Sequence, residues 1–230
     1  MLSIFRPTLR KSGLFNGFTD WHCHILPGVD DGFADIHDSL TALKIYEELG
    51  IREVWLTPHI MEDYANGPEN LKARYEELCN EWHGNVRLQL AAEHMLDGIF
   101  AQLLEKGEVM PIGHDRQHLL VETSYFNPPV EFHGILKDIM AAGYHPLLAH
   151  PERYVYMDED DYEELHDMGV RFQLNLPSLA GMYGDHAMKK AKMLVKKDMY
   201  HTVGTDLHRL RALETLLEEK APRCTLPQGI

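Results

Sequence analysis

The chain has 230 residues and a formal net charge of -14, with 44% hydrophobic and 25% charged residues. This composition is typical of a globular protein, and the acidic excess argues against a nucleic-acid partner bound through a basic face. No apolar run approaches the roughly 20 residues of a membrane-spanning helix, we recognise no signal peptide, and three cysteines do not suggest a disulfide framework. We therefore expect a soluble, cytoplasmic protein.

Seven apolar segments alternate with seven amphipathic ones along the chain. The predicted strands are 18–26, 52–59, 86–93, 117–124, 144–153, 170–178 and 200–208. The predicted helices are 33–49, 68–83, 97–106, 129–142, 158–168, 185–198 and 207–220. Strands regularly separated by helices pair in parallel through right-handed crossovers. We predict an α/β barrel of the TIM type with seven units. The alternative is an open doubly wound sheet, although no glycine-rich phosphate loop follows the first strand.

Side chains that can bind a metal stand at the ends of these predicted strands. They are His22, His24, His59, Glu93, Glu122, His150, Asp206 and His208, with Asp31 in the loop after the first strand. A single histidine at a strand end is more often a structural residue. In a parallel barrel, however, the carboxyl ends of all strands meet on one face. The nine positions together therefore predict a metal site.

The donor types indicate which metals are bound and what they do. Five imidazoles and four carboxylates suit divalent ions such as manganese, iron or zinc. Nine ligands exceed the coordination number of one ion, so two or three ions are implied. Such ions activate water for hydrolysis, and their charge attracts an anionic substrate.

Strand alternation assigns the residues of the first strand. His22 and His24 share a face, and Cys23 points away from them into packing. Asp20 is predicted to share the face of His22 and to orient a ligand imidazole from behind. A cysteine phosphatase requires the pattern C-x₅-R, but the residues six positions after the three cysteines are Val29, Asn85 and Ile230. Cysteine-based chemistry is therefore not expected.

Seven motifs carry a resemblance to a known family. They are "DWHCHILPGVDDG", "TPHI", "AAEHML", "LLVETS", "AHPERY", "QLNLPSLAGMYG" and "GTDLH". Together they resemble the bacterial tyrosine-protein phosphatases of the capsule-synthesis CpsB/CapC (YwqE-like) family, within the polymerase-and-histidinol-phosphatase (PHP) superfamily. The resemblance implies a distorted (β/α)7 barrel, the PHP fold, as a single domain over 18–220. An N-terminal extension (1–17) precedes this domain and a tail (221–230) follows it.

The resemblance also implies roles for individual residues. It selects the same nine metal ligands, prefers Asp31 to Asp30, and makes Glu93 a bridge between two ions. Manganese is the implied metal, with iron or zinc as alternatives. Arg153 of "AHPERY" is implied to hold phosphate, because a guanidinium matches phosphate bidentately. A second phosphate-binding arginine is Arg211 or Arg209, and we prefer Arg211.

The implied activity is hydrolysis of phosphotyrosine by metal-activated water. The implied partner is a membrane-associated tyrosine autokinase that regulates capsular or exopolysaccharide synthesis. Aromatic residues of the predicted rim loops either flank the substrate ring or only pack the loops: Tyr125, Phe126, Tyr154, Tyr156 and Tyr183. Two alternative functions remain. One is a phosphomonoesterase for small molecules of the histidinol-phosphate type, and the other is a non-catalytic metal-binding module that docks a kinase.

Overall fold

The computed structural model describes residues 6–227 and 229–230. Their strands are β1 (Thr19–Cys23), β2 (Glu53–Leu56), β3 (His59–Ile60), β4 (Arg87–Leu90), β5 (Glu93–Met95), β6 (His118–Glu122), β7 (His145–Ala149), β8 (Arg171–Asn175) and β9 (Tyr200–Gly204). Their α-helices are α1 (Ile36–Leu49), α2 (Pro68–Glu81), α3 (Phe100–Lys106), α4 (Phe132–Ala141), α5 (Glu159–Asp167), α6 (Leu176–Ala180), α7 (Gly184–Lys196) and α8 (Leu210–Glu218).

The strands form two parallel sheets. The smaller sheet has the order β1-β2-β4, and the larger has the order β3-β5-β6-β7-β8-β9. Every strand pairing within them is parallel. This arrangement confirms the predicted alternation of strands and helices in a parallel α/β fold. Each predicted strand segment contains an observed strand, and each predicted helix overlaps an observed one.

Two of the predicted strands are divided in the structure. The second becomes β2 and β3, and the third becomes β4 and β5, where the chain passes from the smaller sheet to the larger. Pro58 lies between β2 and β3 and has no N–H to continue the ladder. Ala92, between β4 and β5, donates its N–H to Met110 outside the sheet. Backbone hydrogen bonding at these two points therefore interrupts segments that the hydrophobic pattern shows as continuous.

Two predicted strands also end earlier than expected. The segment 144–153 leaves the sheet after Ala149, and Pro151–Arg153 forms a 3-10 turn. The segment 170–178 leaves the sheet after Asn175, and the short helix α6 begins at Leu176. Proline stands in the first turn in both places, where its fixed φ and missing N–H suit the start of a helix.

The apolar residues divide into two clusters. An outer cluster packs the helices onto the sheets, with fully buried residues such as Leu43, Leu56 and Phe172. A smaller cluster, which we call the inner cluster, comes mainly from strand residues and includes Trp21 and Trp55, whose rings stack with centroids 5.7 Å apart.

The start of α1 shows how local sequence fixes an element beside the site. Asp35 caps the helix by accepting a hydrogen bond from the Asp38 N–H. Gly50 ends the helix at φ 84, a conformation that glycine adopts without strain. The helix is thus fixed at both ends, and its fully buried Tyr46 faces β1.

The described part of the N-terminal extension packs against the last helix. Leu9 and Phe15 are buried, and the Leu9 N–H donates to the Glu219 carbonyl. The prediction of an extension over 1–17 also covers residues 1–5, which lie outside the described residues. Among the described helices, none is long and apolar enough to cross a membrane.

Candidate metal centre

The nine predicted metal-binding side chains converge at the carboxyl ends of the strands. Seven of them fall into three groups whose donor atoms lie within 4.8 Å of one another: His24, Asp31, His59 and His208; His22, His24 and Glu93; His59, Glu93 and Glu122. The remaining two, His150 and Asp206, contact members of these groups. Three of the nine, His24, His59 and Glu93, each belong to two groups. The arrangement is therefore one cluster with three overlapping subsites.

Glu93 is at the centre of this cluster. Its Oε2 lies 3.2 Å from His22 Nε2, 3.3 Å from His24 Nε2 and 3.2 Å from His59 Nδ1. Its Oε1 lies 3.1 Å from His150 Nε2. Burial by itself raises the pKa of Glu93, but the imidazoles of His22 and His59 hold it well below the usual range. Glu93 is thus an ionised carboxylate that can serve two subsites at once.

Asp206 is the second buried carboxylate of the cluster. Its Oδ1 lies 3.5 Å from His22 Nε2, 3.4 Å from His24 Nε2 and 3.5 Å from His208 Nδ1. Burial lowers the pKa of His22, but the carboxylates of Glu93 and Asp206 outweigh it and raise that pKa to about 9. The buried carboxylates therefore favour positive charge at the centre of the cluster.

Two members of the cluster have strained backbones. His150 has φ 36 and Asp206 has φ 50, in the left-handed region that non-glycine residues rarely occupy. Such conformations cost of the order of 1–3 kcal/mol each and concentrate at functional sites. Each residue follows the end of a strand, β7 or β9. The left-handed turn directs its side chain into the cluster.

The donor set fits divalent cations. Four of its buried atoms have no hydrogen-bond partner among the described residues: His59 Nδ1, Glu93 Oε2, His150 Nδ1 and Asp206 Oδ1. His59 Nδ1 and Glu93 Oε2 lie only 3.2 Å apart, yet they are not aligned for a mutual hydrogen bond. Ligand atoms about 2.1 Å from one ion are roughly 3.0–3.4 Å apart, as these are. His59 Nδ1 and Glu93 Oε2 therefore point to a shared centre rather than to each other.

Two residues behind the histidines fix their tautomers. His22 Nδ1 lies 2.9 Å from Gln173 Oε1, and His24 Nδ1 lies 2.8 Å from Asp30 Oδ2. In each case Nδ1 carries the hydrogen, because the partner only accepts. Nε2 is then left with a free lone pair for a metal. Asp30 therefore orients the candidate ligand His24, whereas Asp31 itself faces the cluster with 53% of its side chain exposed.

Gln173 was not predicted as a site residue, and no candidate was predicted on the strand that became β8. The signal was nevertheless present, since Gln173 and Asn175 alternate with Phe172 and Leu174 along that strand. Two fully buried amides in an otherwise apolar strand point to polar partners inside the fold.

The prediction for Asp20 was wrong. Its carboxylate accepts hydrogen bonds from the Tyr46 hydroxyl on α1 and from the Thr205 hydroxyl, and it does not contact a ligand imidazole. The pairing of β1 with β2 shifts register between Asp20 and Cys23, as in a β-bulge. The extra residue reverses the alternation, so Trp21 points inward and Asp20 points toward α1.

Two glycines allow the chain to approach the candidate ligands His22 and His24 closely. A Cβ at Gly32 would lie 2.3 Å from the His24 carbonyl oxygen, and one at Gly204 would lie 2.4 Å from His22 Cβ. Real Cβ atoms do not approach that closely. The glycine of "DDG" is therefore required by its packing against His24.

Cys23 is fully buried and belongs to the outer apolar cluster. Its Sγ lies 3.5 Å from the Trp55 carbonyl oxygen. Burial raises the pKa of its thiol well above the usual value, which opposes thiolate formation. The prediction that this cysteine packs away from the two histidines is confirmed.

Seven of the nine residues, all except the fully buried His22 and His24, line a cavity of about 490 Å³ whose wall also includes two arginines, Arg153 and Arg209. The Arg153 guanidinium lies between the rings of Tyr125 and Tyr183, 4.4 and 4.1 Å from their centroids. Its Nη1 donates to Asp206 Oδ2 at 2.5 Å. The rings and the carboxylate together hold the guanidinium beside the cluster.

The preference for Arg211 over Arg209 does not fit this geometry. Both arginines are exposed, but Arg209, just before α8, lines the cavity, and Arg211, in the first turn of the helix, does not. The sequence spacing does not show which of these two arginines faces the cavity, because that depends on the residue at which α8 begins.

These features define a parallel α/β protein with a candidate cluster of metal subsites at the carboxyl ends of its strands. Residues 18–222 match the model of a family described as capsular polysaccharide synthesis, CpsB/CapC. The match covers most of the chain, and the protein belongs to this family.

Named relatives and solved structures agree with this membership. The tyrosine-protein phosphatase YwqE of Bacillus subtilis (strain 168) is 29% identical over 202 residues, covering 84% of this chain and 78% of the relative. The tyrosine-protein phosphatase CpsB of Streptococcus pneumoniae is 29% identical over 204 residues, covering 83% of each chain.

Solved structures extend the comparison to the fold. One is described as YwqE from B. subtilis and CpsB from S. pneumoniae, unique metal-dependent tyrosine phosphatases. It superposes with a TM-score of 0.77 at 25% identity, over 93% of this chain and 99% of that one. The lactonase Lmo2620 from Listeria monocytogenes, at 12% identity, has a TM-score of 0.53 over 89% of this chain and 83% of its own, and so shares the fold alone.

Proposed function

We propose that this protein is a metal-dependent protein-tyrosine phosphatase that hydrolyses phosphotyrosine by metal-activated water. One observation carries the proposal: seven of the nine potential ligands and the phosphate-matching side chain of Arg153 line a single cavity, and the other two, His22 and His24, contact members of that set from a buried position. Relatives named as tyrosine-protein phosphatases, and a similar structure described as metal-dependent, support it.

The proposed ligands are the nine residues of the cluster, with Glu93 shared between subsites. When bound, divalent ions lower the pKa of a coordinated water and offset the charge of a phosphate. The mixture of imidazole and carboxylate donors, without a thiolate, favours manganese, and iron or zinc are the alternatives. Two or three ions match the three overlapping subsites.

The side chains of the cavity wall have separate proposed roles. Arg153 donates hydrogen bonds to the phosphoryl oxygens, and its two tyrosine neighbours keep its planar fork in position. Arg209 adds positive charge at the rim, which replaces our preference for Arg211. The tyrosine leaving group has a pKa of about 10, so it needs less protonation than an alkoxide would.

We further propose that the two sheets belong to one distorted (β/α)7 barrel over 18–220. Backbone contacts between the first and last strands support this. Cys23 forms a parallel bridge with Leu207, the His24 N–H donates to the Leu207 carbonyl, and the Asp206 N–H donates to the His22 carbonyl. These bonds join the edge of the smaller sheet to the chain that leaves β9.

The proposed substrate is a tyrosine-phosphorylated protein of capsule or exopolysaccharide synthesis, and a membrane-associated tyrosine autokinase is the specific candidate. The family description supports the pathway. A cytoplasmic location follows from that choice of partner, because a kinase acts where ATP is present.

Elemental analysis alongside a phosphotyrosine-peptide assay tests the proposal. We expect two or three equivalents of a divalent metal, turnover of the peptide, loss of turnover with chelator, and recovery with manganese. Histidinol phosphate is the control substrate, and its preferential hydrolysis would favour a small-molecule phosphomonoesterase. Binding of a kinase tail without turnover in the manganese-loaded protein would favour a docking module. Full activity after complete removal of metal would refute the mechanism.

A further inference from the structure

A second cavity, of about 730 Å³, lies along α7 and shares no lining residue with the cavity of the metal centre. We call it the α7 groove. Its wall comes from the end of α6, one side of α7, and the segment 219–225 after α8. Volumes of this size are typical of sites that bind a ligand or a peptide side chain.

The α7 groove concentrates positive charge on an acidic protein. The chain has 36 acidic and 22 basic residues, yet five basic side chains line this groove: Arg6, Lys192, Lys196, Lys220 and Arg223. Only two acidic residues, Asp198 and Glu219, line it. The groove therefore favours an anionic ligand.

Two lysines of the groove, Lys192 and Lys196, differ in their ion pairing from the neighbouring Lys197. Lys197 forms ion pairs with Glu159 and Glu163 on α5. Lys192 and Lys196 are exposed and form no ion pair with any residue in the described part of the chain. Their charges are thus available to a partner, and a partner that neutralises them does not have to break existing ion pairs.

The floor of the groove is apolar. Leu179 is 5% exposed, and Val195 and Met188 are partly buried beside it. A partner that fits both the rim and the floor carries acidic groups together with an apolar side chain. An extended peptide meets this requirement within a concave groove better than a flat lipid surface does.

The groove adjoins the candidate active site through one short segment. Ala180 lines the groove, and Tyr183 lines the cavity of the metal centre and holds Arg153. Three residues of chain span at most about 11 Å. A peptide whose phosphotyrosine lies in the cavity therefore reaches the groove within a few residues.

We propose that the α7 groove binds an acidic segment of the phosphotyrosine protein substrate, a few residues from the phosphorylated tyrosine. Acidic side chains of the segment contact Lys192, Lys196 and the other basic residues, and an apolar side chain packs on Leu179. This inference rests on the proposed phosphatase function, and it assigns the recognition of the protein substrate to a site outside the metal centre.

Kinetics with paired peptides test the proposal. One phosphotyrosine peptide of each pair carries four acidic residues and a leucine, either before or after the tyrosine, and the other carries the matching amides. The variant K192E/K196E reverses two charges at the groove. The control variant K72E/K106E makes the same charge change on α2 and α3, at exposed residues that do not line the groove.

For K192E/K196E we expect the KM of one acidic peptide to rise about tenfold with kcat unchanged, and the KM of its amide counterpart to stay the same. The control should leave both KM values unchanged. Equal effects on acidic and amide peptides, or an equal effect of the control variant, would overturn the proposal.

A binding measurement separates this inference from the phosphatase function. Fluorescence anisotropy with an unphosphorylated acidic peptide, in chelator-treated protein, should show binding that K192E/K196E weakens about tenfold. If phosphatidylglycerol vesicles bind through the two lysines and the peptide does not, the occupant is a lipid surface and the proposal is wrong. If no phosphopeptide is hydrolysed by the manganese-loaded wild type, the phosphatase function fails, and anisotropy still decides the groove.

Discussion

Adjacent aspartates in "DDG" provide the sharpest test of the candidate site. Asp30 and Asp31 have the same chemistry but different surroundings. Asp30 accepts three hydrogen bonds, from His24 Nδ1 at 2.8 Å, the His59 N–H at 3.0 Å and the Gly32 N–H at 2.9 Å. Asp31 is half exposed, and its Oδ1 lies 3.6 Å from His59 Nε2 and 3.5 Å from His208 Nε2. The isosteric variants D30N and D31N should therefore fail in different ways.

D30N should lower the stability of the folded protein, because it replaces one acceptor oxygen of the carboxylate with an amide nitrogen. An asparagine has one acceptor oxygen, so its amide nitrogen must face at least one buried N–H. Leaving such a donor unsatisfied costs about 1–3 kcal/mol. Losing the charge on the acceptor of the His24 hydrogen bond costs a similar amount of free energy. We expect a total of about 3 kcal/mol in the metal-free protein. At roughly 2–4 °C per kcal/mol for a chain of this size, Tm falls by roughly 6–12 °C.

Metal binding should respond as well. His24 loses the partner that fixes its tautomer, which typically weakens metal affinity roughly 10- to 100-fold. D31N should change the unfolding free energy by less than about 0.5 kcal/mol, because the side chain is half exposed, but it should lose one equivalent of metal.

Thermal unfolding in chelator and competition with a chromophoric chelator measure the two quantities. If D31N destabilises the metal-free protein as much as D30N, or if D30N leaves the Tm unchanged, the roles assigned to the two aspartates are wrong.

Three further predictions concern the cavity, the cysteine and a buried histidine. R153K keeps the positive charge but loses the planar guanidinium, so kcat/KM for a phosphotyrosine peptide should fall about 100-fold while the metal content stays the same. An unchanged kcat/KM would show that Arg153 does not bind the phosphate. C23A should keep phosphatase activity within threefold of wild type, because the thiol packs in the outer cluster. A loss of activity in C23A with the metals still bound would contradict the metal mechanism. His94 should make stability depend on pH, because burial lowers its pKa from 6.5 to about 4.

The sign of the His94 effect follows from its two hydrogen bonds. His94 Nδ1 lies 3.1 Å from the Leu120 carbonyl oxygen, and Nε2 accepts from the Met110 N–H, so the folded state holds the neutral ring. As pH falls below 6.5 the unfolded chain binds a proton first, so the free energy of unfolding decreases between pH 6.5 and 4, by at most about 3 kcal/mol. Urea titrations at several pH values should show a shallower decrease in H94Q than in wild type, and equal slopes would contradict this assignment.

Much of the candidate site could be predicted from the sequence because the candidate ligands follow strand ends. Parallel pairing brings the ends of distant strands together, so His22 and His208 converge although 186 positions separate their numbers (208 − 22). Hydrophobic periodicity located each strand, and chemistry selected the residues after it. The same logic could not place Asp20, because a β-bulge is a feature of strand pairing and leaves no mark in the periodicity of one strand.

Side-chain contacts across the fold were also beyond the sequence. The contact of Gln173 with His22 joins residues on β8 and β1, and the stacking of Tyr125 and Tyr183 on Arg153 joins three separate loops. The choice between Arg209 and Arg211 depended on where α8 begins. The α7 groove likewise forms only when α6, α7 and the chain after α8 come together.

By itself, the sequence determined the parallel α/β class, the nine candidate ligands and the packing role of Cys23, because these depend on local periodicity and on the chemistry of single residues. Tertiary structure decided how those ligands share three subsites, which aspartate orients His24 and which arginine reaches the cavity. Those properties depend on distances between segments far apart in the chain, and only the packed fold sets such distances.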